Sequence, residues 1–286
     1  MRKDKDYHLT DPTWCAGCGN YGIFAAFKKA AAALDLEPEQ LVVVTGIGCH
    51  GRLNNYFNSY GFHALHGRTL PVASGIKLSN PSLSVVGISG DGDAYSIGLG
   101  HFIHSLRRNI NITYVVADNR IYALTQGQTS PTSEMGYVSV STPYGSKELN
   151  LNGLQLALAS GASFIARGFS GNPTQLSSLI EKGMKHKGFA LIEVLSPCVI
   201  HNKINTYQWF RKNIYNLDDD SNYDPGDKMK AWKRLSNEKK IPMGLIYVEK
   251  RPSYEDLVFG KRTEPIVSDD LKVDAPRLEK IMEKFK

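Results

Sequence analysis

The chain has 286 residues, 42% of them hydrophobic and 22% charged, with a formal net charge of +6. That length can bury one large core, and no run approaches the roughly 18 apolar residues of a membrane span. The charged start MRKDKDYHLT lacks the apolar stretch of a secretory leader, so a cytoplasmic protein is expected, and the dispersal of Lys and Arg beside Asp and Glu, as in LSNEKKIP, argues for a solvated surface and against a nucleic-acid partner.

In chain order, WCAGCGN sets Cys15 and Cys18 at C-x-x-C spacing, and Asn20 is placed to cap a helix whose Ile23, Ala26, Phe27, Ala30, Ala31 and Leu34 share one face. LVVVT (41–45) reads as a strand that runs into TGIGCHGR, with Gly48 and Cys49. LSVVGIS (83–89) reads as a second strand, running into SGDGDAYS; Leu99, Phe102, Ile103 and Leu106 then repeat at helical spacing. ITYVVA (112–117) leads into DNRIYALTQGQTSPT, and ASFIAR (162–167) follows. FALIEVL (189–195) leads into SPCVIHN with Cys198, and GLIYVE (244–249) is the last strand. Residues 1–250 read as one binding domain. Residues 251–286, broken by Pro252, Pro265 and Pro276, read as an extended tail ending in a short helix near RLEKIMEKFK, either packing over the site or a partner or lying on the surface.

Continuous apolar strands alternating with helices indicate an α/β fold, a mainly parallel sheet covered by helices on both faces. Ligands of such sheets bind beyond the C-terminal ends of the strands. The segments holding Cys49, the Gly-Asp-Gly triplet, Asn119 and Cys198 all lie at such ends.

Four cysteines on loops supply four thiolates with none left over. On spacing alone a zinc ion and a 4Fe-4S cluster both remain open, against buried small hydrophobes or an isolated redox C-x-x-C; disulfides are disfavoured in a cytoplasmic chain. SGDGDAYS is not a dinucleotide fingerprint, because Tyr95 stands where the third glycine belongs. An aspartate between glycines at a strand end suits a Mg²⁺ ligand, the bare backbone letting a diphosphate approach. Asn119 and the carbonyl of Ile121 offer further oxygens; the plain alternative is a tight turn. His101 and His104, inside a helix, read as packing or capping groups.

Gly90, Asp91 and Gly92 followed by Asn119 resemble the motif of thiamine-diphosphate enzymes, with Asp118 where many members have Asn. With the four cysteines, the chain resembles the beta subunits of 2-oxoacid:ferredoxin oxidoreductases, the pyruvate:ferredoxin oxidoreductase superfamily. The resemblance extends through WCAGCGNYGI, HGRTLPVASGIKLSNPSL, GDGDAYSIGLGHFIHSLRRNINIT, IYALTQGQTSPTS, NTYQWF and IPMGLIYVEKRPSYEDL.

The resemblance implies one 4Fe-4S cluster on Cys15, Cys18, Cys49 and Cys198, and Mg²⁺ on Asp91, Asn119 and the Ile121 carbonyl. It also implies thiamine diphosphate along Gly48, Cys49, Gly90, Gly92 and Asp93, with His66 and Arg68 near the reacting end as catalytic candidates; a structural role is the alternative for His66. Gly100 and Gln126 depart from the family pattern, and Gln126 bears on acid specificity. The implied reaction is CoA-dependent oxidative decarboxylation of a 2-oxoacid, pyruvate or 2-oxoglutarate, with electrons passed through the cluster to ferredoxin. An alpha or fused gamma-alpha subunit would complete the site by supplying the pyrimidine-binding half and most of the grip on the substrate carboxylate. The alternatives are a non-oxidative thiamine-diphosphate decarboxylase subunit with structural zinc, and an electron-transfer protein whose Gly-Asp-Gly is only a turn.

Overall fold

The computed structural model describes residues 2–285 apart from 237, 238, 261, 263, 271 and 273. Among these residues the chain forms α1 (Asn20–Ala33), β1 (Leu41–Thr45), β2 (Tyr60–His63), α2 (Thr69–Ser79), β3 (Ser84–Gly90), α3 (Leu99–Arg108), β4 (Thr113–Asp118), β5 (Ile121–Tyr122), β6 (Gln128–Thr129), α4 (Gly153–Ala159), β7 (Phe164–Phe169), α5 (Pro173–Lys185), β8 (Ala190–Leu195), α6 (Tyr207–Asn213), β9 (Ile214–Asn216), α7 (Lys228–Ser236), β10 (Ile241–Val248), α8 (Tyr254–Phe259) and α9 (Ala275–Glu283).

One sheet takes the strands in the order β2-β1-β3-β4-β8-β7-β10-β9. It is parallel from β2 to β7; β10 runs antiparallel to β7, and β9 lies parallel to β10. Successive side chains of a strand point to opposite faces. Thus Leu41 and Val43 of β1 pack with Ile23 and Phe27 of α1 and Leu176 and Ile180 of α5. Val42 and Val44 pack on the other face with Leu70 of α2, Phe102 of α3 and Leu154 of α4. Both faces are dry, which is why the strands read as unbroken apolar runs. Each fully buried Leu, Ile or Phe contributes about 1.5–3 kcal/mol.

β1, β3, β4 and β8 are consecutive neighbours in the sheet. The loops carrying Cys49, Gly-Asp-Gly, Asn119 and Cys198 therefore stand side by side on one edge, as expected.

Four details differ from the sequence reading. α1 starts at Asn20 itself with Gly19 as its cap; Gly19 is already helical (φ −58°, ψ −25°), which carries the Asn20 side chain past the capping position. Neither His101 nor His104 caps α3, which closes on Asn109 in the left-handed conformation, and His104 is exposed. The short edge strands β2 and β9 lack the buried apolar pattern that marks the others. Finally, the start of the tail packs at the edge opposite the four loops: Arg251 donates to the Leu106 carbonyl, Glu255 accepts the Asn111 N–H at 3.1 Å, and Asn109 Nδ2 donates to the Pro252 carbonyl at 3.0 Å. The expected terminal helix is α9; Lys286 of that segment lies outside the described residues.

Candidate functional site

A cavity of about 320 Å³ opens over the C-terminal ends of β1, β3 and β4. Gly48, Cys49, His66, Gly90, Asp91, Gly92, Asp93, Asn119 and Ile121 all border it. Arg68 does not: it is exposed at the N-terminal cap of α2, its guanidinium reaching only the Gly67 carbonyl at 3.4 Å. Gln126, at φ 86°, is also exposed, and Leu124 and Thr125 line the cavity in its place. Gly100 faces open space, so its departure from the family pattern has no packing consequence.

Asp91 is buried at the cavity floor, its Oδ2 accepting hydrogen bonds from Ser130 Oγ (2.5 Å) and Thr132 Oγ1 (2.7 Å). Thr132 Oγ1 also lies 2.8 Å from Oδ1 of buried Asp118. A hydroxyl has one proton and cannot serve two charged carboxylates at once. Burial pushes both carboxyls up, and the charges of Asp91 and Glu193 push Asp118 further. The pair calls for added positive charge, and a divalent cation beside Asp91 fits that need.

Asn119 and Ile121 are presented by a strained turn. Arg120 between them sits in the left-handed region at φ 61°, unusual for a residue with a long side chain. It is held there at both ends: its N–H donates to Asp118 Oδ1 (3.1 Å), its carbonyl accepts from Ser133 Oγ (2.6 Å), and its guanidinium pairs with Glu134 (2.5 Å) over the rings of Trp209 and Phe210. Asn119 Oδ1 accepts the Ile121 N–H at 3.0 Å and keeps a second lone pair.

Close approach explains the glycines. Gly48 adopts φ 154°, and a Cβ there would lie 2.5 Å from the His50 ring; one on Gly92 would overlap the ring of Tyr122. His50 itself is buried, and its Nε2 accepts the Gly90 N–H at 2.9 Å, which leaves the ring proton on Nδ1. Burial pushes this imidazole down to about 4, so it is a neutral acceptor.

Asp93 borders the cavity but spends its carboxylate on the protein. Oδ1 accepts the N–H groups of Gly67 (2.7 Å) and Ile47 (3.2 Å); Oδ2 accepts from Ser89 Oγ (2.6 Å) and Thr69 Oγ1 (3.3 Å). Asp93 thus keeps its place on the cavity wall while its carboxylate braces the loops of Ile47 and Gly67 against the segment that follows β3. His66 Nδ1 is 2.9 Å from Asp93 Oδ1 but out of hydrogen-bonding alignment, and the half-buried ring stands edge-on to Tyr122 at the cavity wall.

All four cysteines border a second cavity of about 60 Å³. Burial, reinforced by the other three thiols, pushes Cys18 up to about 11, with the Asn20 N–H pulling the other way. Burial followed by Cys198 and Cys15 also raises Cys49. Cys18 and Cys49, held protonated by burial, need a cationic centre to become thiolates. Among the described residues no three His, Cys, Asp or Glu side chains close on a single-ion position. A zinc ion would draw the sulfurs to about 3.8 Å of one another, and a 4Fe-4S cluster would need the same four thiols set around a larger space. The two cavities share Cys49, Asn119 and Ala123 in their walls.

His50, Ser130, Thr132 and the brace formed by Asp93 were not anticipated. The Ser and Thr-rich TSPTS segment is the available signal for the hydroxyls; the position of His50 next to Cys49 gives none for a buried imidazole.

Two family models match: residues 46–194 a thiamine pyrophosphate enzyme C-terminal TPP-binding domain, and residues 198–261 the C-terminal part of the pyruvate ferredoxin oxidoreductase beta subunit. A 2-oxoacid:ferredoxin oxidoreductase subunit beta of Saccharolobus solfataricus is 40% identical over 85% of this chain and 88% of its own length. A 2-oxoglutarate synthase subunit KorB of Archaeoglobus fulgidus is 44% identical over 70% of this chain and 75% of its own. Among solved structures, a 2-oxoglutarate:ferredoxin oxidoreductase from Magnetococcus marinus with 2-oxoglutarate, coenzyme A and succinyl-CoA bound superposes with a TM-score of 0.91 at 36% identity, covering 98% of this chain and 96% of that one.

Proposed function

The chain belongs to the beta subunits of the 2-oxoacid:ferredoxin oxidoreductases, and from that premise we propose that it holds thiamine diphosphate through Mg²⁺ in the larger cavity and one 4Fe-4S cluster in the smaller. One observation carries the reading: a cavity with an apolar wall and the Asp91 carboxylate on its floor meets a thiol-lined cavity at Cys49, Asn119 and Ala123. Asp91, the Asn119 amide oxygen and the Ile121 carbonyl would hold the Mg²⁺, and Gly90 and Gly92 leave the backbone bare for the diphosphate. Cys15, Cys18, Cys49 and Cys198 would hold the cluster. Bound there, thiamine diphosphate supplies the electron sink for decarboxylation and the cluster a one-electron acceptor.

The proposed overall reaction converts a 2-oxoacid and coenzyme A into acyl-CoA, carbon dioxide, a proton and two electrons, the electrons leaving one at a time to ferredoxin. Pyruvate and 2-oxoglutarate are the candidate acids, and the names of the relatives favour 2-oxoglutarate. His66 at the cavity wall is the candidate for proton transfer at the reacting end. Arg68, outside the cavity, is available to a partner. An alpha or fused gamma-alpha subunit is the proposed partner, supported by exposed apolar side chains: Leu124 (51%) in the cavity wall, Leu65 (77%) next to His66 in the chain, and Ile97 (55%) against Gly67.

Anaerobic purification with the co-expressed partner, followed by iron, sulfide, zinc and thiamine-diphosphate analysis, tests this reading. About four irons on this chain and one thiamine diphosphate support it. Zinc in place of iron overturns the electron-transfer half and leaves a simple decarboxylase.

A further inference from the structure

Each of the two cysteine-bearing loops that follow β1 and β8 sends one buried side chain into the neighbouring loop of the larger cavity. After Cys49, His50 accepts the backbone N–H of Gly90 at 2.9 Å. After Cys198, Asn202 donates from Nδ2 to the backbone carbonyl of Asn119 at 3.1 Å. Asn202 is 2% exposed and locked to its own loop: its N–H donates to the Cys198 carbonyl (3.2 Å), and its Oδ1 accepts the N–H groups of Asn205 (2.9 Å) and Ile204 (3.1 Å). His50 is equally confined, its ring filling the space over Gly48 and Gly90. Neither side chain can shift without moving its partner backbone, because buried donors and acceptors left unpaired are costly.

We propose that His50 and Asn202 are positioning residues that couple the two sites, so that filling the cysteine cavity tightens the binding of thiamine diphosphate and its cation. The proposal rests on the reading of the site given above and adds a thermodynamic link between its halves. The physical cause is loop order. Without a bound centre, little in the protein fixes the spacing of the four cysteine side chains, the His201 N–H at 3.5 Å from Cys198 Sγ being one of their few partners. With the centre bound, both loops are pinned, and through His50 and Asn202 so are Gly90 and Asn119, the backbone points that set the diphosphate and cation contacts. A second ligand entering an already ordered site loses less entropy. Linkage requires the effect to be reciprocal: thiamine diphosphate must tighten retention of the cluster by the same factor.

The test uses the complex co-purified with its partner under anaerobic conditions. Thiamine-diphosphate affinity at saturating Mg²⁺ is measured by calorimetry in iron-loaded and chelator-depleted preparations of the wild type, His50→Ala, Asn202→Ala and the double variant. The same preparations are scored for iron retained against a fixed chelator with and without thiamine diphosphate. Loading should tighten wild-type affinity on the order of 10-fold, and the ratio should fall towards one in the double variant. His50→Gln, which keeps a side-chain acceptor, should recover part of it and also serves if His50→Ala does not fold. A wild-type ratio of one with iron and thiamine diphosphate both bound overturns the coupling alone, as does a ratio unchanged in the double variant. A wild-type complex that takes up no iron or no thiamine diphosphate overturns the reading of the site and the coupling with it.

Discussion

The larger cavity and the smaller, thiol-lined one occupy the same edge of one sheet but are finished by different means. In the larger, the protein supplies most of the order: Asp93 gathers donors from two loops, β3 and α2, Asp91 is fixed by two hydroxyls, and Arg120 is clamped in a strained turn. In the smaller, the thiols have few protein partners, chiefly the Asn20 N–H at Cys18 and the His201 N–H, 3.5 Å from Cys198 Sγ. The fold itself therefore orders most of the larger site, leaving the Gly90 and Asn119 backbone tied to the cysteine loops, whereas the smaller site is completed by what binds in it. Mutations in the first should damage the metal-free protein; mutations in the second should leave it intact and damage only the loaded one.

The largest stability effect is expected at the brace. Asp93→Ala leaves the Gly67 and Ile47 N–H groups and two hydroxyls without their acceptor in a buried place, and should lower metal-free stability by at least about 3 kcal/mol. Urea unfolding of the metal-free chain would show it, and a midpoint shift near zero would break the comparison. Gly92→Ala forces a methyl into the Tyr122 ring, and about 1–3 kcal/mol of overpacking is expected. Weaker thiamine-diphosphate binding should accompany it, readable by calorimetry.

Cys15→Ala should behave in the opposite way. Cys15 is exposed, so metal-free stability should move by no more than about 0.5 kcal/mol, while iron retention after anaerobic reconstitution falls. If this change destabilised the chain as Asp93→Ala should, the thiol site would be part of the preorganised scaffold.

The smallest effect lies at the other edge of the sheet and serves as background. Burial, with the Arg251 charge second, holds His186 below its ordinary value of 6.5. The neutral ring faces Ser163 Oγ at 2.8 Å. The unfolded chain binds this proton more readily, so the stabilisation is present above about pH 6.5 and is lost as pH falls towards the folded value. His186→Asn should flatten that part of the thermal-midpoint profile between pH 7 and 5, equally in loaded and metal-free protein.

Much of this arrangement was legible in the residue pattern because parallel α/β sheets put their loops in predictable places. Four apolar runs ending in loops that carry Cys49, Asp91, Asn119 and Cys198 were enough to bring those residues to one edge. The pattern could not show what depends on side-chain direction. His66 and Arg68 are two residues apart, yet one borders the cavity and the other caps a helix on the surface. Asp91 meets Ser130 and Thr132 through tertiary packing, with no periodicity to announce it. Asp93 reads as a cofactor contact, and the pattern could not show that its carboxylate also accepts from Ile47, Gly67, Ser89 and Thr69. His50 next to Cys49 carries no signal that distinguishes a surface imidazole from one buried across a gap.

The most direct test of the central claim, that this chain holds both the reaction centre and the first electron acceptor, is paramagnetic resonance of the iron-loaded complex frozen anaerobically after mixing with 2-oxoglutarate and coenzyme A. A reduced-cluster signal is expected in the wild type, and its loss in an Asp91→Ala complex that retains its iron. Carbon dioxide release with the cluster still oxidised, or an undiminished signal in Asp91→Ala, would contradict the claim.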